Sequence, residues 1–324
     1  MDTAPSTDKI FSRRDGVIGH MIFNNPERHN AVSLDMWDAV EKILTDFEAD
    51  QDIRVLVLSG AGGKSFVSGA DISKFDEERG SAGAIAHYNE RIKRVYDRIL
   101  RFPKPTIAMI NGYCLGGGLN LATVCDLRFC SAKSKFGMPA AKLAVGYPFH
   151  SIQRLVSVIG APAAKDLMFS ARHIDADEAF RVGLVHKLVA EEELDGFVAD
   201  YAVRIGANAP LTLASMKFIV GEVLKDPDTR DLAACVENTF SHGRIDLRHV
   251  AFERRRTAHH RNIREHDVVF ERDGFAFELT ARSAFDAGAV VPGVQRIIFG
   301  SRTRGRLARI LHRRQLVGHR INLI

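Results

Sequence analysis

Thr106-Ile107-Ala108-Met109-Ile110-Asn111-Gly112-Tyr113-Cys114-Leu115-Gly116-Gly117-Gly118-Leu119-Asn120-Leu121 is the stretch on which the reading of this chain turns. Thr106 to Ile110 is a short apolar run with β-branched residues, the signature of a buried strand. Three successive glycines follow and open a helix, whose first amides have no partner within the helix and carry the positive end of its dipole. The wider apolar stretch, Ile107 to Cys125, approaches the minimum length of a membrane span. Asn111, Asn120 and the glycines interrupt it, and unpaired backbone at such a break is costly in lipid. A buried strand, a turn and a helix are expected instead.

Working outward, Ile53 to Leu58 is a second β-branched run, ended by Gly60. Between the two strands Tyr88, Ile92, Val95 and Ile99 recur at helical spacing, and that helix must stop before Pro103 and Pro105. Lys9 to Phe23 alternates around Asp15-Gly16, a dipeptide suited to a hairpin turn. Met36, Val40, Ile43, Leu44 and Phe47 predict an amphipathic helix with Ser33 as its N-cap. Asp126 to Ser131 reads as another strand. From Ser151 to about His242 the pattern is helical apart from Leu184 to Val189, and Leu194, Phe197, Val198, Tyr201 and Ile205 share one face. Strands alternating with crossover helices, then helices alone, predict an α/β core followed by a helical C-terminal part. No internal repeat is visible.

The 324 residues, with 46% hydrophobic and 26% charged side chains, suit one large globular domain or two small ones. This composition excludes a fibre, a disordered chain and a disulfide scaffold. The four cysteines form no CxxC pair and have no histidine at ligand spacing, so no metal site is expected. The polar N-terminus lacks a signal-peptide pattern, and a cytoplasmic setting is expected. The formal charge of +5 is unevenly placed. From Arg244 onward there are about 17 arginines, no lysine and about 8 acids, so the basic excess belongs to the tail. Three readings of that tail stay open: an appended module, a disordered basic arm or a shifted reading frame. Its arginines are not interleaved with aromatic stacking platforms, so a nucleic-acid partner is not favoured.

Val55 to Leu58 followed by Gly60-Ala61-Gly62-Gly63-Lys64-Ser65 imitates a phosphate loop. The pattern would need glycine in place of Leu58, and no GxGxxG follows any expected strand. Two backbone sites are more informative. In Ser68-Gly69-Ala70-Asp71-Ile72 a glycine lets the chain turn and expose the next amide at the start of a helix. The glycine triplet offers a second free amide. Brought together, two such amides would form an oxyanion hole, although glycines also serve simply for close helix packing.

Taken in order, these strings resemble the crotonase (enoyl-CoA hydratase/isomerase) superfamily. The similar segments are Asn24 to Ala31, Phe66 to Ile72, Pro103-Lys104-Pro105-Thr106-Ile107 and Asn111 to Leu121. Cys125-Asp126, Phe136-Gly137, Gln153-Arg154-Leu155 and Asp175 to Val185 match as well, so the resemblance spans roughly residues 9 to 240. It implies a ββα spiral core over 9–190, a helical trimerisation region over 191–243, and homotrimers that pair into hexamers. The basic tail, 244–324, lies beyond it, although Phe252-Glu253-Arg254-Arg255 echoes a C-terminal string of the family. The resemblance further implies an acyl-CoA thioester substrate, no cofactor beyond the CoA moiety, and no metal. Mapped onto this chain, the oxyanion donors would be the amides of Ala70 and Gly117. Arg28, His29, Ala31, Ala70, Asp71 and Ile72 would line the CoA channel.

The departures are chemical. Where hydratases of the family carry two glutamates, this chain has Asn120 and Ala140, and neither side chain is a base. Each acid/base group typically contributes about 10² to 10⁴ in rate, so ordinary hydration should be severely slowed. Leu143-Ala144-Val145-Gly146-Tyr147 is similar to a segment of methylmalonyl-CoA decarboxylases, in which a tyrosine faces the substrate carboxylate. Loss of CO₂ generates an enolate without a base. That branch's histidine in the first oxyanion loop corresponds to Ala70 here, and its glutamate to Asn120, so Tyr147 is equally readable as a core residue. His150 is the nearest side chain able to act as a base near neutral pH. Asp71 reads as a capping acid, and Glu90, Asp97 and Glu191 to Glu193 as solvated faces. Three functions follow as expectations: a lyase or isomerase of this family, a Tyr147-dependent decarboxylase, or a non-catalytic CoA-thioester binding protein.

Overall fold

The computed structural model describes residues 7–71, 81–240, 268–272 and 275–279. Contacts divide the chain into two units, 1–246 and 247–324.

The first unit begins with the expected hairpin, β1 (Ile10–Asp15) and β2 (Ile18–Phe23), paired antiparallel around Gly16. Helix α1 (Leu34–Ala49) follows with Ser33 at its N-cap position. The Ser33 hydroxyl bonds the Asp35 carboxylate and makes no side-chain cap to the backbone. Next come β3 (Val55–Gly60), β4 (Ser65–Val67) and α2 (Ala82–Leu100). The pattern recurs with β5 (Thr106–Ile110), β6 (Tyr113–Leu115) and α3 (Gly117–Val124), and again with β7 (Leu127–Ser131) and β8 (Lys135–Gly137). The phosphate-loop imitation is the connection from β3 to β4.

Helix α4 (Phe149–Ser170) is interrupted at Gly160, two residues before Pro162. Strand β9 (His173–Asp175), helix α5 (Ala176–Arg181) and strand β10 (Lys187–Val189) follow. Within the stretch from Leu184 to Val189, set apart from the helical pattern, the last three residues pair as a strand. Leu184 and Val185 instead enter the core. Helices α6 (Leu194–Gly206), α7 (Pro210–Val223) and α8 (Leu232–Phe240) end the unit.

Each repeat gives its first strand to one sheet and its second to another. The larger sheet runs β1-β2-β3-β5-β7-β10, parallel except at the hairpin, and the smaller runs β4-β6-β8-β9. This is the spiral of ββα turns. Strand β3 shows why the large sheet is buried on both sides, since residues alternate across a strand. Leu56 and Leu58 face a core shared with α1, α2 and α3, whereas Val55 and Val57 face a second core closed by Leu194, Val198 and Ala202 of α6.

Within the second unit β11 (Val268–Arg272) and β12 (Phe275–Leu279) form an antiparallel hairpin. The remaining tail residues, including Phe252 to Arg255, lie outside the described residues, as does Ile72. No described helix is long and apolar enough to cross a membrane. Among the described residues no cluster of metal-ligating side chains occurs. All four cysteines are free, and burial pushes the Cys125 and Cys130 thiols up to about 12.

Candidate active site

Both sequence-predicted amides lie at the seam between the small sheet and α3. Ala70 forms an isolated parallel bridge with Val32. The bridge bonds run from Val32 N–H to Gly69 O (2.9 Å) and from Asp71 N–H to Val32 O (3.0 Å). A parallel bridge uses the groups flanking the bridging residue, so Ala70's own amide is turned away from Val32. Gly69 has φ of +116°, a conformation that side chains rarely adopt. The segment after Asp71, where a helix start is expected, lies outside the described residues.

Gly117 is the first residue of α3, and the first bond into that helix comes from Asn120 N–H to Gly116 O (3.1 Å). The Gly117 amide therefore has no carbonyl to reach within its helix. Gly118 lets the helix settle on β4, because a Cβ there would stand 1.9 Å from Val67 O. The position for a Cβ on Gly117 is 3.5 Å from Gly69 Cα, so the two loops lie within van der Waals reach of each other. Tyr96 donates its hydroxyl to Gly117 O at 2.9 Å, and Trp37 stands edge-on to Tyr96 at 5.5 Å. Burial holds the Tyr96 phenol well above its ordinary pKa, so it stays a neutral donor.

A cavity of about 160 Å³ opens here, and Ala70, Gly117, Asn120, Ala140, Tyr147 and His150 all line it. The tyrosine hydroxyl is 3.2 Å from a Cβ position on Gly116. Asn120 is 4% exposed, and its Oδ1 is buried without a hydrogen-bond partner. His150 is held below the ordinary imidazole pKa, first by burial and then by the charge of Arg154, so its neutral form persists into mild acid.

Arg28, His29 and Ala31 stand beside the first loop and do not line the cavity. Arg28 pairs with the buried Asp71 at 3.4 Å, and Ser68 N–H donates to His29 O at 3.2 Å. His29 Nδ1 is 3.1 Å from Ser65 Oγ. The Ala31 carbonyl accepts from Asn25 Nδ2.

Trp37, Lys93 and Tyr96 also line the cavity and were not legible as site residues. Trp37 interrupts no pattern in α1, and Tyr96 adjoins Val95 on the apolar face of α2. Asp97, expected on a solvated face, keeps a side chain that is 31% exposed. It accepts from Lys93 Nζ at 3.0 Å and faces Arg154 Nη1 of α4 at 3.8 Å.

Comparisons agree with this architecture. The family model for enoyl-CoA hydratase/isomerase matches residues 13–260. A short-chain-enoyl-CoA hydratase of Clostridium acetobutylicum is 34% identical over 223 residues, covering 68% of this chain and 85% of that protein. A peroxisomal Delta(3,5)-Delta(2,4)-dienoyl-CoA isomerase of Arabidopsis thaliana is 33% identical over 231 residues, covering 68% and 83%. The crystal structure of an enoyl-CoA hydratase/carnithine racemase from Magnetospirillum magneticum superposes with a TM-score of 0.72 at 32% identity, covering 78% of this chain and 94% of that one. With its spiral of paired sheets and a family match over most of its length, the chain belongs to the enoyl-CoA hydratase/isomerase family of the crotonase superfamily.

Proposed function

We propose that this enzyme processes an acyl-CoA thioester by stabilising an enolate, with the thioester oxygen held between the amides of Ala70 and Gly117. One observation supports this above others: both residues line a single cavity, and neither amide donates a backbone hydrogen bond among the described residues. Donors fixed in place before charge develops can be worth about 3 to 4 kcal/mol at the transition state. Arg28, His29, Ala31, Asp71 and Ile72 would meet the CoA moiety beside the first loop, and the Arg28–Asp71 pair would brace it. Self-association into trimers or hexamers belongs to the same reading. Exposed Leu211, Met216, Val220, Val223, Leu232 and Val236 on the last two helices favour it.

Asn120 and Ala140, in place of carboxylates, make ordinary hydration slow, because neither can carry the proton that water must lose. Decarboxylation is the second reading, favoured by Tyr147 on the cavity wall. There the bond from the α-carbon to the carboxylate breaks and its electron pair moves onto the thioester oxygen. CO₂ departs, and the α-carbon later takes a proton from solvent. Tyr147 would orient the departing carboxylate as a neutral donor, and His150 is the nearest side chain that could relay a proton.

Turnover of crotonyl-CoA against methylmalonyl-CoA tests these readings. Slow hydration of the first is expected, and vigorous hydration would overturn the roles given to positions 120 and 140. Turnover of neither, with thioester binding in calorimetry, would identify a binding protein. The oxyanion assignment has its own test in Gly117→Pro, which removes the amide at a helix position where proline is tolerated. A fall of about 10²- to 10³-fold in kcat is expected, with Gly117→Ala close to the parent.

A further inference from the structure

Helix α3 is eight residues long and opens on Gly117-Gly118, directly after Gly116. A short helix that starts on glycines has a loosely held first turn, because no side chain restrains those torsions and helix ends fray. Gly116 has φ of +54° and ψ of −114°, outside the helical region, so the chain turns at one glycine and enters α3 at the next. The peptide between them carries the Gly117 amide, and α3 holds it by a single bond, from Asn120 N–H to Gly116 O. The peptide that follows is tied from outside the helix. Tyr96 donates its hydroxyl to Gly117 O at 2.9 Å, and the same hydroxyl is 3.6 Å from the Cβ position of Gly117. Tyr96 lies in the last third of α2, is 3% exposed and lines the cavity. A phenol buried this far needs an acceptor, and it finds one on the residue whose amide is at issue. A carbonyl has two lone pairs, so the phenol can add to the bond that the helix itself makes there. Trp37 of α1, edge-on at 5.5 Å, and the Arg154 guanidinium of α4, 6.0 Å from the ring centre, hold the ring in place.

We infer that Tyr96 is a positioning residue for the reaction: its hydroxyl pins Gly117, and thereby the direction in which the Gly117 amide meets the thioester oxygen. The inference rests on the oxyanion reading above and adds a side chain to a hole otherwise built from backbone. The effect is geometric. The bond runs to the Gly117 carbonyl and not to substrate, so the phenol neither gives nor takes a proton in the reaction. Without it Gly117 is held by its own short helix alone. Small errors of direction matter here, because a hydrogen bond weakens as its donor turns off line, and donors stabilise developing charge only when aimed beforehand.

Butyryl-CoA labelled with carbon-13 at the thioester carbonyl is the probe, since it has neither a double bond to hydrate nor a carboxylate to lose. Difference infrared spectroscopy of its complex with the full chain reads the carbonyl stretch, which falls as the oxygen is polarised. The parent should lower the stretch relative to free butyryl-CoA. Tyr96→Phe deletes one oxygen and keeps the ring, so the fold should survive. It should undo about half of that drop, because the Ala70 amide still holds the oxygen. On whichever thioester the parent turns over, kcat should fall about tenfold with KM within about twofold. In a Gly117→Pro background no amide is left to aim, and adding Tyr96→Phe should leave the stretch where it was. A stretch unmoved by Tyr96→Phe in the parent, or moved equally in both backgrounds, overturns the inference and leaves the thioester reading standing. A parent that fails to bind butyryl-CoA, or binds it without lowering the stretch, overturns the oxyanion reading itself, and this inference with it.

Discussion

Arg128 and Arg154 are both withdrawn from water, under opposite terms. Arg128, on β7, is 5% exposed and donates to the carbonyls of Leu184 (2.7 Å) and Cys125 (2.8 Å). It ties the end of α3 to the turn before β10. Arg154, on α4, leaves Nε and Nη2 unpartnered, and its nearest acid, Asp97, is 3.8 Å away. The contrast is between a guanidinium that ties the scaffold together through matched carbonyls and one that stays buried with two nitrogens unmatched, a condition His20 Nε2 of the scaffold shares, so an unmatched group does not by itself mark a site.

The comparison breaks first at Arg128. Arg128→Met should cost about 3 kcal/mol or more, since it strands two buried carbonyls and removes the link between them, and denaturant unfolding would read the loss. A change below about 1 kcal/mol would show that its hydrogen bonds are replaceable by water.

Acid sharpens the scaffold side. His20 on β2 is 9% exposed with its Nε2 unpartnered, and burial holds its pKa below the ordinary imidazole value, assisted by Arg13 and opposed by Asp15 and Asp195. The unfolded chain takes up this proton near pH ~6.5, whereas the folded protein resists it until lower pH. Stability should therefore fall as pH drops through about 6.5 and level off below the folded pKa. Melting temperature against pH should show that slope, and His20→Val should flatten part of it. An unchanged slope would place the titration at other histidines.

The smallest effect is expected at Arg154. Arg154→Met should change stability by no more than about 1 kcal/mol, because most of its polar atoms are already unmatched and a methionine fills similar space. A loss as large as that of Arg128→Met would erase the distinction between the two arginines.

Much of the large sheet is legible in the sequence. β3 and β5 are short apolar runs containing β-branched residues, the hairpin is marked by Asp15-Gly16, and α1 and α2 show their periods plainly. The small sheet is not. β4, β6, β8 and β9 have three residues each, too short for an alternation to register, and each is stabilised by a neighbour distant in the chain. The candidate site divides in the same way. The glycines, Ala70, Asn120, Tyr147 and His150 announce themselves in local strings, whereas Trp37, Lys93 and Tyr96 look like ordinary members of helix faces. Asp97 reads as solvated and is partly so, but nothing local foretells its pairing with Arg154 of α4.

What the residues themselves determine is their intrinsic chemistry: which positions tolerate a positive φ or a close approach, which can ionise, and that positions 120 and 140 carry no carboxylate. Tertiary structure alone decides that Gly69 and Gly117 meet within one cavity, and that Trp37 and Arg154 leave buried donors unmatched around Tyr96. Sterics and ionisation are properties of single residues and travel with the sequence. Convergence and unmatched hydrogen bonds are properties of segments far apart in the chain, and they exist only once packing has brought those segments together.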